Sequence, residues 1–178
     1  MNKKHIILIV TGSIAACKAP LLISGLKKEN FNITCILTNG GKEFISALTL
    51  SSLSGNPTYE ELFSLKDETE MGHIKLSREA DLILVAPASC NIIAKITHGF
   101  ADDLASSVLL ASNKPIVIAP AMNSMMWENK ATKRNIKQLL DDGIKIIGPA
   151  QGELACGEMG LGRMEEIDVI IQYVKSII

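Results

Sequence analysis

His5-Ile-Ile-Leu-Ile-Val-Thr-Gly-Ser-Ile14 decides the fold. The run is apolar without alternation and stops at Thr-Gly-Ser. Such a run suits a strand buried on both faces, as in a parallel sheet covered by helices. Working outward, further strands are expected at residues 31–38, 81–86, 115–119 and 143–147. Between them lie helical patterns. Residues 13–28 carry Leu21, Leu22, Ile23 and Leu26, and residues 40–48 open a helix with Phe44, Ile45 and Leu48 on one face. Residues 91–96, 103–112, 128–142 and 165–178 are further helices, and residues 50–78 are the least regular part. Alternating strands and helices imply an α/β fold. It is expected to be a three-layer, doubly wound, Rossmann-like or flavodoxin-like parallel sheet with helices on both faces. Neither a repeat nor a linker interrupts it, so residues 1–178 are expected to be one domain.

Composition narrows the function. Over 178 residues, 47% hydrophobic and 21% charged side chains exclude disorder. Eighteen basic and nineteen acidic residues leave a net charge of −1, with no basic block. Nucleic-acid binding is therefore not expected. The longest apolar run, residues 6–10, is too short to cross a bilayer. No signal-peptide core follows Lys3-Lys4-His5, so a cytoplasmic protein without membrane contact is expected. Cys17, Cys35, Cys90 and Cys156 form no CxxC pair, and His5, His73 and His98 lie far apart. No metal site and no disulfide framework is expected. Cys35 reads as a small core hydrophobe. Cys156 sits in Gly152-Glu-Leu-Ala-Cys-Gly-Glu-Met-Gly-Leu-Gly162, a glycine-rich stretch unsuited to a core.

Ligands of doubly wound sheets sit beyond the carboxyl ends of the strands. The unusual segments follow strands directly: Thr11-Gly-Ser-Ile14, Thr38-Asn-Gly-Gly41, Ala86-Pro-Ala-Ser-Cys-Asn91 and Ala119-Pro-Ala-Met-Asn123. A Gly-Ser turn that opens a helix can seat a phosphate on backbone N–H groups, although many such turns hold no ligand. GxGxxG is absent, and Gly40-Gly-Lys-Glu lacks the P-loop spacing, which excludes the usual dinucleotide and nucleoside-triphosphate modes. Ser89 and Asn91 suit helix caps or ligand contacts. Asp102-Asp103 could be an acid/base pair, but a helix N-terminus explains them as well and is preferred. Pro120-Ala-Met-Asn-Ser-Met-Met-Trp127 crowds three methionines and the one tryptophan beside Asn123. The methionines suit core or interface, and an asparagine there could read a carboxylate or amide. His73 could be a base at neutral pH.

Together these segments resemble the flavin-dependent cysteine decarboxylase family, above all its branch in coenzyme A biosynthesis. The resemblance spans nearly the whole chain. It rests on Thr11-Gly-Ser-Ile-Ala-Ala-Cys-Lys18, Gly72-His-Ile-Lys-Leu76, Ala86-Pro-Ala-Ser-Cys-Asn91, Ala101-Asp-Asp-Leu104, Pro120–Trp127 and Leu154-Ala-Cys-Gly157 running to Gly162-Arg-Met164. Cys17 stands where the family often has an aromatic residue, and Cys90 where it often has alanine.

The resemblance implies FMN held by Gly12, Ser13 and Ile14, by Thr38, Gly40 and Phe44, and by Ser89, Cys90, Asn91, Ile92 and Ala121. It implies His73 as base, Asn123 as binder of the substrate carboxylate and Cys156 as proton donor. Met125, Glu153, Leu154 and Ala155 would be substrate contacts, the last three on a lid over the site. The implied reaction converts 4′-phospho-N-pantothenoylcysteine to 4′-phosphopantetheine. The flavin oxidises the thiol to a thioaldehyde, carbon dioxide leaves, and the ene-thiol is reduced again. The carboxylate needs that electron sink, which a flavin supplies. An ordinary cysteine thiol is mostly protonated at neutral pH and can serve as the closing acid. A homotrimer, or a larger assembly of trimers, is implied, with active sites at subunit contacts. No fused synthetase domain is expected, and a separate phosphopantothenoylcysteine synthetase is expected with that.

Rival readings are a peptidyl-cysteine decarboxylase, an FMN-scaffolded prenyl transferase, a regulatory subunit and a flavodoxin-like electron carrier. The resemblance ties Cys156 to the coenzyme A branch, because the peptide-modifying relatives lack that cysteine. His73, Asn123 and Cys156 together disfavour the prenyl transferase and the regulatory subunit. A net charge of −1 disfavours the electron carrier.

Overall fold

A computed structural model describes residues 3–62 and 72–178, with side chains in the second segment from residue 74. Six strands form the main sheet: β1 (His5–Val10), β2 (Asn32–Leu37), β3 (Thr58–Tyr59), β4 (Leu82–Ala88), β5 (Ile116–Pro120) and β6 (Lys145–Ile146). Their spatial order is β3-β2-β1-β4-β5-β6, and every pairing is parallel. The chain builds outward from β1 to β3, then returns to the other side of β1 for β4 to β6. The order therefore reverses between β1 and β4, the place where such sheets hold ligands.

Two hydrophobic layers explain the unbroken apolar runs. Ile6, Leu8 and Val10 face one layer with Ile33, Cys35 and Leu37, under α1 (Ala19–Lys28), α3 (Ala47–Ser54) and α9 (Ile167–Lys175). Ile7 and Ile9 face the other with Ile36, Ile83, Val85 and Ile118. That layer is closed by α4 (Gly72–Glu79), α5 (Cys90–Thr97), α6 (Leu104–Ala111) and α8 (Lys130–Asp141). Ile6 to Val10 are all fully buried. Each such side chain stabilises the fold by about 1.5–3 kcal/mol, so this strand anchors both layers. Cys35 is buried among them, and burial pushes its thiol up to about 12, as suits an inert core residue.

The fold class is the expected one, and several boundaries differ for identifiable reasons. The helix expected over residues 13–28 is split into a 3₁₀ turn (Ile14–Lys18) and α1. Pro20 stands in the first turn of α1. Having no N–H, it could not continue a helix from Ser13 but is tolerated where a new one starts. The helix expected from Gly40 is also broken, into α2 (Asn39–Lys42) and α3. Ser46 accepts the Thr49 N–H and caps the second piece. Leu48 is consequently exposed and Ile45 packs on the core, so the single face expected for them does not form. The helix expected over 128–142 begins earlier, as α7 (Ser124–Glu128), and restarts after Asn129, which caps α8. β3 was not expected. It is a two-residue edge strand, too short to leave a periodic signal.

The glycine-rich stretch, not part of the core, folds as a hairpin. β7 (Ala150–Glu153) and β8 (Met159–Arg163) pair antiparallel as a separate two-stranded ribbon. The Leu154 N–H donates to the Glu158 carbonyl at 2.9 Å, and the Gly157 N–H to the Leu154 carbonyl at 2.8 Å. Gly157 takes φ +81°. This is the three-residue hairpin loop that needs a left-handed residue at its end. Ala155-Cys156-Gly157 is thus a turn, with Cys156 at its apex.

Among the described residues, no helix is long and apolar enough to cross a membrane. No group of His, Cys, Asp and Glu there could hold a metal ion.

Candidate active site

A cavity of ≈ 840 Å³ opens at the carboxyl ends of β1, β2, β4 and β5. That is a size typical of small-molecule and cofactor sites. Its position follows from the sheet, at the crossing between β1 and β4.

Three strand ends are each followed by a Ser or Thr that caps the next helix. Ser13 accepts the Ala15 N–H, Thr38 the Gly41 N–H and Ser89 the Ile92 N–H. All three line the cavity. The capping expectation for Ser89 and its place at the cavity are therefore compatible. Thr11 ties the end of β1 to the end of β4. It is buried, its hydroxyl donates to the Pro87 carbonyl at 2.7 Å, and the Ser89 N–H donates back to it at 2.9 Å. No local pattern marks Thr11, because its partners lie 76 and 78 residues away.

The loops after β1 and β2 touch. A Cβ on Gly12 would lie 3.1 Å from the Gly40 Cα, and the reverse is also 3.1 Å. Glycine at both positions lets the loops close into a cradle. The cavity wall there combines the apolar Ile36, Leu37, Leu104 and Ala105 with the Ser13, Thr38 and Ser89 ends. An apolar slot suits a planar ring. Helix N-termini, with unsatisfied N–H groups and the positive end of the helix dipole, suit a phosphate. The residues present therefore fit a phosphate-bearing flavin.

The opposite wall and roof come from later elements. Asn123 caps α7, its Oδ1 accepting the Met125 N–H at 2.8 Å. Its Nδ2 donates to Glu158 Oε2 at 3.1 Å and lies 3.6 Å from Cys156 Sγ. Glu153, Leu154, Ala155 and Cys156 line the cavity from the hairpin. The hairpin is docked by backbone: the Met122 N–H donates to the Gly162 carbonyl at 2.9 Å. Gly162 has φ +145°, and any Cβ there would run into the Met122 carbonyl.

On the α5 side, Lys95 Nζ lies 2.7 Å from both Asp102 Oδ1 and Asp103 Oδ2. Asp103 caps α6 in a reciprocal box with Ser106, as the cap reading expects. Burial alone would raise the Asp103 carboxyl, but the Lys95 ammonium and the Ser106 N–H and hydroxyl outweigh it and hold it below the usual carboxylate range. Burial would likewise lower Lys95, and the two aspartates outweigh that and raise it.

Of the cofactor positions expected, Gly12, Ser13, Ile14, Thr38 and Gly40 line the cavity, as do Ser89, Cys90, Asn91, Ile92 and Ala121. Phe44 and Met125 are exposed and do not line it. His73 is the second residue of α4, and its side chain lies outside the described residues. Lys95, Glu158 and Arg163 were not anticipated. Arg163 lines the cavity, lies against Gly152 and pairs with Glu166.

Comparison with known proteins decides what this arrangement is. The Flavoprotein family model matches residues 1–178. A probable phosphopantothenoylcysteine decarboxylase of Streptococcus mutans serotype c is 44% identical over 175 residues, covering 97% of this chain and 98% of that protein. The chain belongs to this flavoprotein family, among the phosphopantothenoylcysteine decarboxylases. By class it is a carboxy-lyase that uses a flavin. It is also 45% identical over 170 residues to the coenzyme A biosynthesis bifunctional protein CoaBC of Haemophilus influenzae. There it covers 96% of itself but spans only 42% of the relative. Two solved structures agree with the fold. A PPC decarboxylase mutant complexed with pantothenoylaminoethenethiol superposes with TM-score 0.85 at 31% identity, covering 98% of each chain. The FMN binding protein AtHal3 superposes with TM-score 0.81 at 32% identity, covering 98% of this chain and 96% of that one.

Proposed function

We propose that the chain decarboxylates 4′-phospho-N-pantothenoylcysteine to 4′-phosphopantetheine in coenzyme A biosynthesis, with FMN as its flavin. The meeting of Asn123 and Cys156 carries this reading. A carboxylate reader and a thiol stand 3.6 Å apart at the mouth of a cavity that a flavin fits. Bound FMN supplies the hydride acceptor and donor that the carbon–carbon cleavage and the final saturation require.

The chain's own residues do the rest. Gly12, Ser13 and Ile14 with Thr38 and Gly40 hold the cofactor from one side, and Ser89 to Ile92 with Ala121 from the other. Their fixed backbone orients it before substrate arrives. The Asn123 amide donates to the substrate carboxylate and keeps it beside the hairpin. Oδ1 is committed to the Met125 N–H, so the NH₂ edge is the one presented. His73 takes the thiol-side proton. Cys156, at the hairpin apex, returns a proton at the carbon that lost carbon dioxide. Glu153, Leu154 and Ala155 close over the bound chain and exclude water. The full cycle leaves no net oxidation, so no external nicotinamide is consumed.

A homotrimer in the cytoplasm, supplied by a phosphopantothenoylcysteine synthetase, belongs to the same reading. Ile14 and Met126 are exposed apolar side chains that line the cavity, the kind of surface a second subunit covers.

The test is mass spectrometry after incubating the holoprotein with phosphopantothenoylcysteine and no reductant. Loss of carbon dioxide alone supports the proposal. Loss of carbon dioxide and two hydrogens points to the peptide-type reaction. No change in a yellow protein rejects this substrate.

A further inference from the structure

Asn123 has no donor to spare. An amide carries two N–H groups. In the free protein one contact goes to Glu158 Oε2 at 3.1 Å, and the same Nδ2 lies 3.6 Å from Cys156 Sγ. The Ser124 hydroxyl donates to that same Glu158 oxygen at 3.3 Å. The edge that a substrate carboxylate needs is thus already holding a carboxylate, and it is the protein's own. Two carboxylates cannot share the seat without like-charge repulsion.

The rest of the hairpin does not depend on this contact. Its base is docked by the Met122–Gly162 backbone bond and by Gly160 against Ser124. Only the tip, residues 154–158, is tied down through the Glu158 side chain. Glu158 is itself exposed, so leaving the seat returns it to water at little cost.

We propose that Glu158 is a latch: an internal carboxylate that occupies the Asn123 seat in the free protein and is displaced by the substrate carboxylate. This rests on the reading of Asn123 given above. The exchange conserves charge and hydrogen bonds, since one carboxylate replaces another on the same donors. It has two consequences. While the latch is shut, Asn123 is held with its NH₂ edge toward the cavity and Cys156 is held beside it. When a carboxylate ligand enters, the tip is freed at the moment the Cys156 turn must adjust to the bound chain. A ligand without a carboxylate cannot open the latch by this route. Glu158 is a positioning residue, acting through Asn123.

Self-competition lowers apparent affinity by the fraction of time the seat is open. Glu158→Ala in the holoenzyme is expected to lower KM for phosphopantothenoylcysteine by about three- to tenfold. The effect falls on KM rather than on kcat, because the latch is already open in the occupied site. Inhibition by phosphopantetheine, which has the same chain but no carboxylate, is expected to stay unchanged. A KM that is unchanged or higher overturns the latch. So does equal tightening for phosphopantetheine, which would indicate a general opening of the site.

A second measurement needs no substrate. Amide exchange at Leu154 and Gly157, whose N–H groups close the turn, is expected to accelerate in Glu158→Ala while Met122 stays protected. Unaltered protection at the tip overturns the latch whatever the substrate proves to be. If the wild-type protein fails to turn over phosphopantothenoylcysteine, the substrate reading falls, and the exchange experiment alone decides the latch.

Discussion

The cradle after β1 and β2 and the hairpin of β7 and β8 face each other across one cavity, yet they are built on different principles. The cradle grows out of fully buried strands, and its loops touch backbone to backbone at Gly12 and Gly40. It cannot shift without disturbing the core. The hairpin is an exposed two-stranded ribbon outside the main sheet. Two strands alone are marginal in water, so its place depends on a few docking contacts: Met122 with Gly162, Gly160 with Ser124 and Glu158 with Asn123. Rigid cofactor seats and loosely docked roofs serve different needs. A cofactor stays, whereas substrate and product must pass.

The largest effect that would break this comparison is at the cradle. Gly12→Val pushes side-chain carbon into the Gly40 backbone, where even a Cβ has only 3.1 Å. The strain, about 1–3 kcal/mol, has no flexible side chain to absorb it. The expected outcome is a protein purified without flavin and a turnover reduced by at least about a hundredfold, read by visible absorbance and product formation. Retention of flavin at wild-type level would show that the cradle is not the cofactor seat.

Cys156→Ser tests the other side. Cys156 is exposed on a turn, so stability should change by less than about 0.5 kcal/mol. Carbon dioxide loss should persist, while formation of saturated phosphopantetheine falls about 10²–10⁴-fold. The diagnostic product is the ene-thiol, two hydrogens lighter. Full saturated product from this variant would remove Cys156 as the donor. Gly162→Ala acts on the same region without touching chemistry. Its Cβ would displace the Met122 carbonyl and undock the hairpin. Flavin should remain while turnover falls about a hundredfold, the scale of a misplacement of about 1 Å. Joint loss of flavin and turnover would show that roof and cradle are one unit.

The same contrast explains what could be read in the chain. β1 was legible because burial on both faces leaves only apolar residues, and the segments after each strand were legible because the fold class sends ligands there. The cofactor positions quoted from those segments, Gly12 through Ala121, line the cavity with the exception of Phe44. Phe44 is exposed in the turn between α2 and α3. The hairpin was illegible as structure. Its glycines and exposed side chains show no alternation, and the φ of +81° that makes Gly157 the turn residue is a property of the closed loop. Nothing in the local sequence around Glu158 or Thr11 marks a role. Their roles come from partners 35 and 76 residues away, which no local pattern reveals.

The smallest expected effect sharpens the comparison by pH. On the cradle side of the cavity, Lys95 is clamped between Asp102 and Asp103. The Asp103 carboxyl is held below its ordinary range although burial opposes this. A lowered folded pKa means stability that is present above the unfolded carboxyl value and lost as pH falls through the folded value. Lys95 is raised, so its share is complete below the ordinary lysine range and is lost only as pH rises through the raised value. Asp103→Asn keeps a good N-cap but removes the charge. Its melting temperature should lie about 2–4 °C below wild type at neutral pH, the shift expected for about 1 kcal/mol in a chain of this size. That gap should close at the acid end, where the wild-type carboxyl is itself neutral, and should not close between neutral pH and the onset of lysine titration. Because the pair lines the cavity, flavin release on acidification should follow the same curve, and Gly162→Ala should leave that curve where it is. A gap that stays constant into acid would mean that Asp103 contributes shape rather than charge. A curve that moves with the hairpin variant would tie the roof to the cradle's electrostatics.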